Sequence, residues 1–279
     1  MTMMTIGLMA LEGDVRTETS TITNDWEISR LHPNVGVPQF KVKLKRCEAF
    51  AFIGASLKKA KLTRIALSLG KHVLNDFPPA ATWNEVERLK EISISNHVYF
   101  YTPNLLQFRT GMNALREMVD RKTSQLLSLT ISCGFGGRAD KTYSLMKFAQ
   151  IIDLAEWLVG SKCANVSQEK SERNSAANAR ILLISHENDV KTLLNLCFGP
   201  RLRDSLWIDA IFTDSIIHLD PNSQNLRFAV SRGVSSEVDW SAPPLSRAMN
   251  EFKMIIGGSS EMTNFSTQRR LLELTRQLL

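Results

Sequence analysis

The chain has 279 residues, 43% of them hydrophobic, which suits one large or two modest domains with a real core. Its net charge of +6 sits in short clusters (Lys41–Arg46, Lys58–Lys61, Arg269-Arg270) with no interleaved aromatics, a pattern that does not point to nucleic acid. No window approaches the roughly 18–20 uncharged apolar residues of a membrane span, and Cys47, Cys133, Cys163 and Cys197 form no CxxC pair, which argues against zinc or a disulfide framework and for a cytoplasmic setting.

Thr5–Ala10 reads as a short buried strand, and the acids Glu12 and Asp14 that follow set it apart from a signal peptide. Arg16–Asp25 is rich in Ser and Thr and reads poorly as a helix, and His32–Pro38, with two prolines and a glycine, reads as a loop. Glu48–Gly54 is a compact apolar strand, followed by an amphipathic helix over Leu57–Leu69 that Gly70 ends. Lys71–Leu74 is the next strand. Thr82 and Glu85 have the spacing of a capping box at the head of a helix over Trp83–Ser93, and His97–Tyr101 is a further strand. The alternation predicts a parallel, doubly wound unit.

Arg109–Asp120 is expected to be a helix leading into a second region. There Gln125–Phe135, Asn178–Ser185, Val190–Phe198, Leu206–Phe212, Ser215–Leu219 and Leu226–Ser231 read as strands, with helices over Leu145–Val159, Leu245–Ile256 and Ser266–Leu279. Ser167–Ala177 is polar and reads as a surface loop. The fold class expected is an N-terminal Rossmann-like parallel sheet over residues 1–104, followed by a domain of residues 105–279 with an open, mainly antiparallel sheet covered on one face by helices.

Ala66–Ala80, ALSLGKHVLNDFPPA, resembles the segment of the Gfo/Idh/MocA oxidoreductases in which a helix ends at glycine, a strand carries His-Val, and a Glu-Lys-Pro turn delivers a lysine to the active site. Phe108-Arg109 is similar to a conserved corner of that family. Ile152, Asp153, Leu154, Trp157, Leu158 and Gly160 are similar to one of its helices. The resemblance spans roughly residues 48–279. It implies NAD or NADP as cofactor and a homo-oligomer formed through the C-terminal sheet, or a protein partner.

The chemistry departs from that pattern position by position. A dinucleotide site needs glycines so that the backbone can approach the pyrophosphate at a helix N-terminus. Here Ala10, Glu12 and Val15 stand where the glycines belong, and only Gly13 offers a flexible backbone. The ribose-binding acid, expected about 20 residues further on, falls in Arg30–Asn34, which holds no acid and no convincing strand. One strand and one helix of the nucleotide-binding half therefore read as missing, which would expose apolar surface for a partner or a rearranged sheet to cover. The lysine turn is Asp76-Phe77-Pro78, and Phe77 cannot exchange a proton. Biliverdin reductases, which resemble this family, carry tyrosine there. The family's acid–base pair falls on Met146 and Gln150, and Asp153 is expected to satisfy neighbouring donors. The nicotinamide-side turn reads Gly54-Ala55, with Lys59 in place of a common histidine. Lys58, Lys59 and Lys61 read as a solvated basic face, with attraction of an anion near the helix N-terminus as the alternative.

The cofactor-side candidates are thus Gly13, Gly54, Ala55, Asp76 and Pro78, and the catalytic positions are Asp76, Phe77 and Gln150. Phe77, Tyr99, Tyr101, Asn104, Arg109 and Gln150 are expected to line a pocket, with Gln107 beside them. His72 reads as structural, His97, His186 and His218 lack metal-ligand spacing, and Gly134–Gly137 reads as a strand-end turn, not a phosphate loop. The function expected is a degenerate relative of these oxidoreductases in a ligand-binding, regulatory or assembly role. The alternative is an NAD(P)H-dependent reductase with an altered site.

Overall fold

In the computed structural model of the protein, residues 4–10, 26–31, 40, 45–54, 56–109, 111–121, 125–136, 141–173, 178–221, 225–230, 244–258 and 265–278 are described. The chain forms two compact units, Met1–Leu105 with Ala242–Glu273, and Leu106–Ser241 with Leu274–Leu279.

The first unit is built on five parallel strands: β1 (Met4–Ala10), β2 (Trp26–Leu31), β3 (Ala49–Ile53), β4 (His72–Asn75) and β5 (Phe100–Tyr101), in the order β2-β1-β3-β4-β5. The central strand, Ala49-Phe-Ala-Phe-Ile53, is buried along its whole length, as a run without polar alternation requires in a sheet covered on both faces. Phe50 and Phe52 stack at 6.1 Å between ring centroids, and Phe40 meets Phe50 edge-on at 5.5 Å. The neighbouring strand yields to this cluster at Gly7, where a Cβ would lie 2.3 Å from the Phe50 ring.

Helix α1 (Leu57–Ser68) joins β3 to β4, and α2 (Trp83–Ser95) joins β4 to β5. Ser56 caps α1 by accepting from the Lys58 N–H at 3.3 Å. Thr82 Oγ1 accepts from the Glu85 N–H at 3.4 Å and donates to the Glu85 carboxylate at 3.1 Å, so the predicted capping box is closed through the hydroxyl. The strand expected over His97–Tyr101 shrinks to Phe100–Tyr101, because His97 turns through a φ of 53°.

β2 corrects the expectation that a strand is missing. Trp26–Leu31 pairs in parallel with β1 from Met4↔Trp26 to Met9↔Leu31. Its sequence, WEISRL, hides this role. Trp26 and Leu31 are buried, but Glu27 and Arg30 are exposed, the mixed pattern of a strand with a lighter cover than β3. The loop expected at His32–Pro38 and the Arg16–Asp25 segment lie outside the described residues.

Two helices from the end of the chain also contribute here, α5 (Pro244–Ile256) and the first part of α6 (Phe265–Arg276). Phe252 of α5 stacks on Trp26 at 6.4 Å and on Tyr101 at 6.0 Å, while Phe265 of α6 packs on Phe100 at 5.8 Å. Residues 242–273 thus fold with the N-terminal unit, whereas a division at residue 104 assigns them to the second. Their apolar faces are complementary to β2 and β5, which sequence order does not reveal.

The second unit carries a seven-stranded sheet: β6 (Leu126–Gly136), β7 (Cys163–Arg173), β8 (Asn178–His186), β9 (Lys191–Gly199), β10 (Ser205–Phe212), β11 (Ser215–Asp220) and β12 (Asn225–Val230), ordered β12-β11-β10-β6-β9-β8-β7. All pairs are antiparallel except β6–β9, which is parallel because the chain leaves β6 through helix α4 (Lys141–Val159) and returns from the far edge. The segment read as a loop from Ser167 is β7, which runs to Arg173 and pairs with β8 from Cys163↔His186 to Arg173↔Asn178. A polar strand at a sheet edge is hard to tell from a loop by composition. Helix α3 (Met112–Asp120) begins after a 3₁₀ turn at Leu105–Phe108 and Gly111, later than the expected start at Arg109.

Thirteen residues of α4 are buried, and Phe148 meets Phe198 of β9 edge-on at 5.5 Å, so α4 covers one face of this sheet. The other face presents Trp207, Ile211 and Ile216 as exposed apolar side chains. No described helix is long and apolar enough to cross a membrane.

Candidate functional site

In a doubly wound sheet, a ligand binds beyond the carboxyl ends of the strands where the strand order reverses. In the first unit that point lies between β1 and β3, with β2 on one side and β4 and β5 on the other. β1 ends at Ala10. β3 ends at Ile53, and Gly54 follows with a φ of 96°, a conformation that disfavours any side chain. Arg30, near the end of β2 and exposed, stands where the ribose acid is expected. Gly13 and Ala55, with Glu12 and Val15, lie outside the described residues. For a dinucleotide the described part of the site offers the switch point, a flexible glycine at Gly54 and a cation at Arg30, with Ala10 at the end of β1 where the resemblance expects a glycine.

The turn after β4 is held from three sides. The Phe77–Pro78 bond is cis. The Asp76 N–H donates to the Phe52 carbonyl at 3.1 Å, and the Phe77 N–H donates to the Pro103 carbonyl at 2.8 Å. Asp76 Oδ1 accepts from the Leu105 N–H at 3.3 Å, which anchors the chain leaving β5. The Phe77 ring is only 3% exposed. Beside it, Lys59 is 1% exposed and its Nζ donates to the Asp76 carbonyl at 2.6 Å. Lys59 is thus a buried ammonium and not part of a solvated face; the exposed Lys58 and Lys61 fit that description. The spacing held a usable signal: Lys59, Leu62, Thr63, Ala66 and Leu67 form the buried stripe of α1 at helical periodicity.

The remaining first-unit candidates take part in packing. Tyr99 stacks on His72 at 5.4 Å, and its N–H donates to His72 Nδ1 at 3.0 Å. Tyr101 is buried against Phe252. Burial, with the Glu251 carboxylate accepting its hydrogen bond, pushes the phenol far above its ordinary value, so it is a fixed donor. Asn104 is buried, and the neighbouring Thr102 carbonyl accepts from Gln268 Nε2 at 3.3 Å.

In the second unit, Arg109 and Gln150 come together. They line a small cavity of about 60 Å³ with Lys147, Cys133, Asp204 and Ser205. Gln150 is 6% exposed, and Met146, one turn earlier, is buried. Asp153 faces elsewhere and accepts from Gln107 Nε2 at 2.8 Å, the donor-satisfying role expected of it. Lys147 and Asp204 were not foreseen from the sequence. Lys147 lies three residues before Gln150 on α4, a spacing that places both on one face. Asp204 reaches the cavity through the register of β10 with β6, which only the fold supplies.

Two histidines are held neutral. In the second unit, His186 Nδ1 lies 3.1 Å from the Ser161 carbonyl and so carries the proton, leaving Nε2 to accept from Thr192 Oγ1 at 2.9 Å. Burial pushes His186 and, in the first unit, His72 below their ordinary value of 6.5. In the unfolded chain both protonate near that ordinary value. Below it the unfolded state binds more protons, so stability is present above pH 6.5 and is lost as pH falls toward the depressed folded values. The urea midpoint is expected to decline from about pH 7.5 to about pH 5, less steeply in His186→Gln. A midpoint that rises toward pH 5 would exclude neutral burial of these rings. Among the described residues, no group of three or more potential metal ligands is present.

No protein-family model matches the sequence, and no curated protein matches it. Solved structures do. UDP-N-acetylglucosamine 3-dehydrogenase from Acidithiobacillus ferrooxidans superposes with a TM-score of 0.76 at 14% identity, covering 100% of this chain and 97% of that one. A dehydrogenase from Clostridium difficile gives 0.69 at 15% identity over 99% and 98%. An NAD-binding protein from Listeria innocua gives 0.72 at 12% identity over 98% and 93%. Identities this low speak for the fold alone, and they do so over the full length of both units. The chain has the two-domain fold of the Gfo/Idh/MocA-type oxidoreductases.

Proposed function

We propose that this protein keeps the oxidoreductase scaffold in a ligand-binding, regulatory or assembly role and does not run the dehydrogenase reaction. One observation carries the reading. At the two positions where the resemblance expects a proton-transferring lysine and histidine stand Phe77 and Gln150, both buried and neither able to exchange a proton near neutral pH. Ala10 at the switch point supports it from the cofactor side. The exposed apolar residues Trp207, Ile211 and Ile216 on the open face of the second sheet fit a homo-oligomer in which that face is covered. The setting that suits this reading is cytoplasmic.

The second reading, an NAD(P)H-dependent reductase with an altered site, is favoured by Gly54 at the switch point and by the exposed Arg30, whose charge suits a phosphate-bearing cofactor. Hydride transfer itself asks mostly for positioning of cofactor and substrate.

Titration with NADH and NADPH, followed by nicotinamide fluorescence, separates the two. Absence of saturable binding is expected, and micromolar binding of either would sink the first reading. Phe77→Lys alone is expected to restore no sugar dehydrogenase activity, because the cofactor side is still altered. Measurable turnover in that variant would show that the phosphate-binding turn is competent.

A further inference from the structure

We propose that the His72 imidazole is an acid-sensitive latch: its protonation breaks the hydrogen bond from the Tyr99 N–H and loosens the strip of residues 99–105 that holds the turn at Asp76–Pro78. The device lies within the first unit and stands whether or not a nicotinamide cofactor binds.

β4 and β5 share a short ladder, Val73↔Phe100 and Leu74↔Tyr101. Tyr99 comes just before it. Its carbonyl accepts from the Val73 N–H at 2.9 Å, as in a parallel ladder, but its N–H donates to His72 Nδ1 at 3.0 Å. One rung of this short joint is therefore made by a side chain. The two rings also stack, with centroids 5.4 Å apart. A backbone N–H can only donate, so Nδ1 presents its lone pair and the proton of the neutral ring sits on Nε2. A second proton can enter only at Nδ1. It would set one N–H against another at 3.0 Å, so the charged ring and the Tyr99 bond exclude each other. His186 is built differently. Its Nε2 accepts from Thr192 Oγ1, a hydroxyl that can turn and accept from a protonated ring.

The surroundings set the direction. Burial, the largest influence, holds the His72 ring below its ordinary value of 6.5. Glu48, just before β3, favours the charged ring, and Lys71, the preceding residue, opposes it; Tyr99 meets the ring from the β5 side. The latch is therefore closed above the depressed value and opens as pH falls through it. The strip that it holds matters at its far end. There the Pro103 carbonyl accepts from the Phe77 N–H at 2.8 Å, and the Leu105 N–H donates to Asp76 Oδ1 at 3.3 Å. Between those bonds and Tyr99, only two residue pairs tie the strip to β4, so loss of the first rung is felt at the turn.

The test uses the full chain. NMR follows the His72 ring together with amide protection, each rate taken relative to a free amide at the same pH, from about pH 7.5 to about pH 4.5. Tyr99 protection is expected to fall about tenfold as the ring protonates, and Phe77 protection to fall at the same midpoint. Phe52, in the core of the same unit, and Thr192, beside His186, should stay within about twofold. His72→Asn supplies a side-chain oxygen where Nδ1 stood and does not titrate, so the acid loss at Tyr99 should shrink to within about twofold. If that variant does not fold, the wild-type midpoints decide, and coincidence of the Tyr99 and ring midpoints supports the latch. Four results overturn it: flat Tyr99 protection through the ring titration, a ring still neutral at about pH 4.5, an undiminished acid loss in His72→Asn, or opening at Tyr99 that leaves Phe77 unchanged.

Discussion

Phe50→Ala is expected to destabilise the first unit by about 3–5 kcal/mol, the range for emptying a fully buried aromatic site. Phe50 has no exposed surface, stacks on Phe52 and receives Phe40 edge-on. Its ring also fills the space that Gly7 leaves open on β1. That contact gives a second, sharper expectation. Gly7→Ala places a methyl group 2.3 Å from a Phe50 ring carbon, so β1 or the ring must move, at a cost of about 1–3 kcal/mol. Combined with Phe50→Leu, whose smaller side chain frees that volume, Gly7→Ala should cost less than the two changes added together. Hydrogen exchange of the β1 and β3 amides follows this unit specifically. Strict additivity in the double variant would mean that Phe50 and Gly7 do not share the contact.

Phe198→Ala is expected to produce a loss of similar size, about 3–5 kcal/mol, in the second unit. Phe198 of β9 is the hub of an aromatic cluster, with Phe135 at 5.0 Å, Phe148 at 5.5 Å and Tyr143 at 6.4 Å. Such ring pairs contribute about 0.5–1.5 kcal/mol each beyond the area they bury. Phe198→Leu keeps most of the volume and should cost about 1–2 kcal/mol. The consequence reaches the cavity, because Phe135 and Tyr143 are the rings against which Lys147 rests. The Leu variant should therefore stay folded while loosening the seat of Lys147. Exchange of the β6 and β9 amides reports the stability. An Ala variant that loses less than about 1 kcal/mol would show that this cluster is not the core of the unit.

Much of the architecture was legible before any coordinates. Elements that bury a continuous or periodic apolar set announce themselves: β3 as Ala49-Phe-Ala-Phe-Ile53, α1 with its terminating Gly70, α2 with its Thr82 box, and α4 with its long buried face. Elements at the margins did not. β2 and β7 carry mixed or polar sequences because they have less to bury, and a polar extended segment has the same composition whether or not its backbone is paired.

The candidate site divides the same way. That Phe77 and Gln150 carry no group that exchanges a proton near neutral pH is a property of the residues themselves, legible without any fold. Where side chains go was decided only by tertiary structure. A lysine in a basic cluster looks solvated, yet Lys59 lies on the buried stripe of α1 and its ammonium meets the Asp76 carbonyl. Arg109, Lys147 and Asp204 are far apart in the chain, and β-sheet register together with the packing of α4 brings them to one cavity. Local pattern reports what a residue can do; long-range packing decides what it is next to, and recognition depends on both.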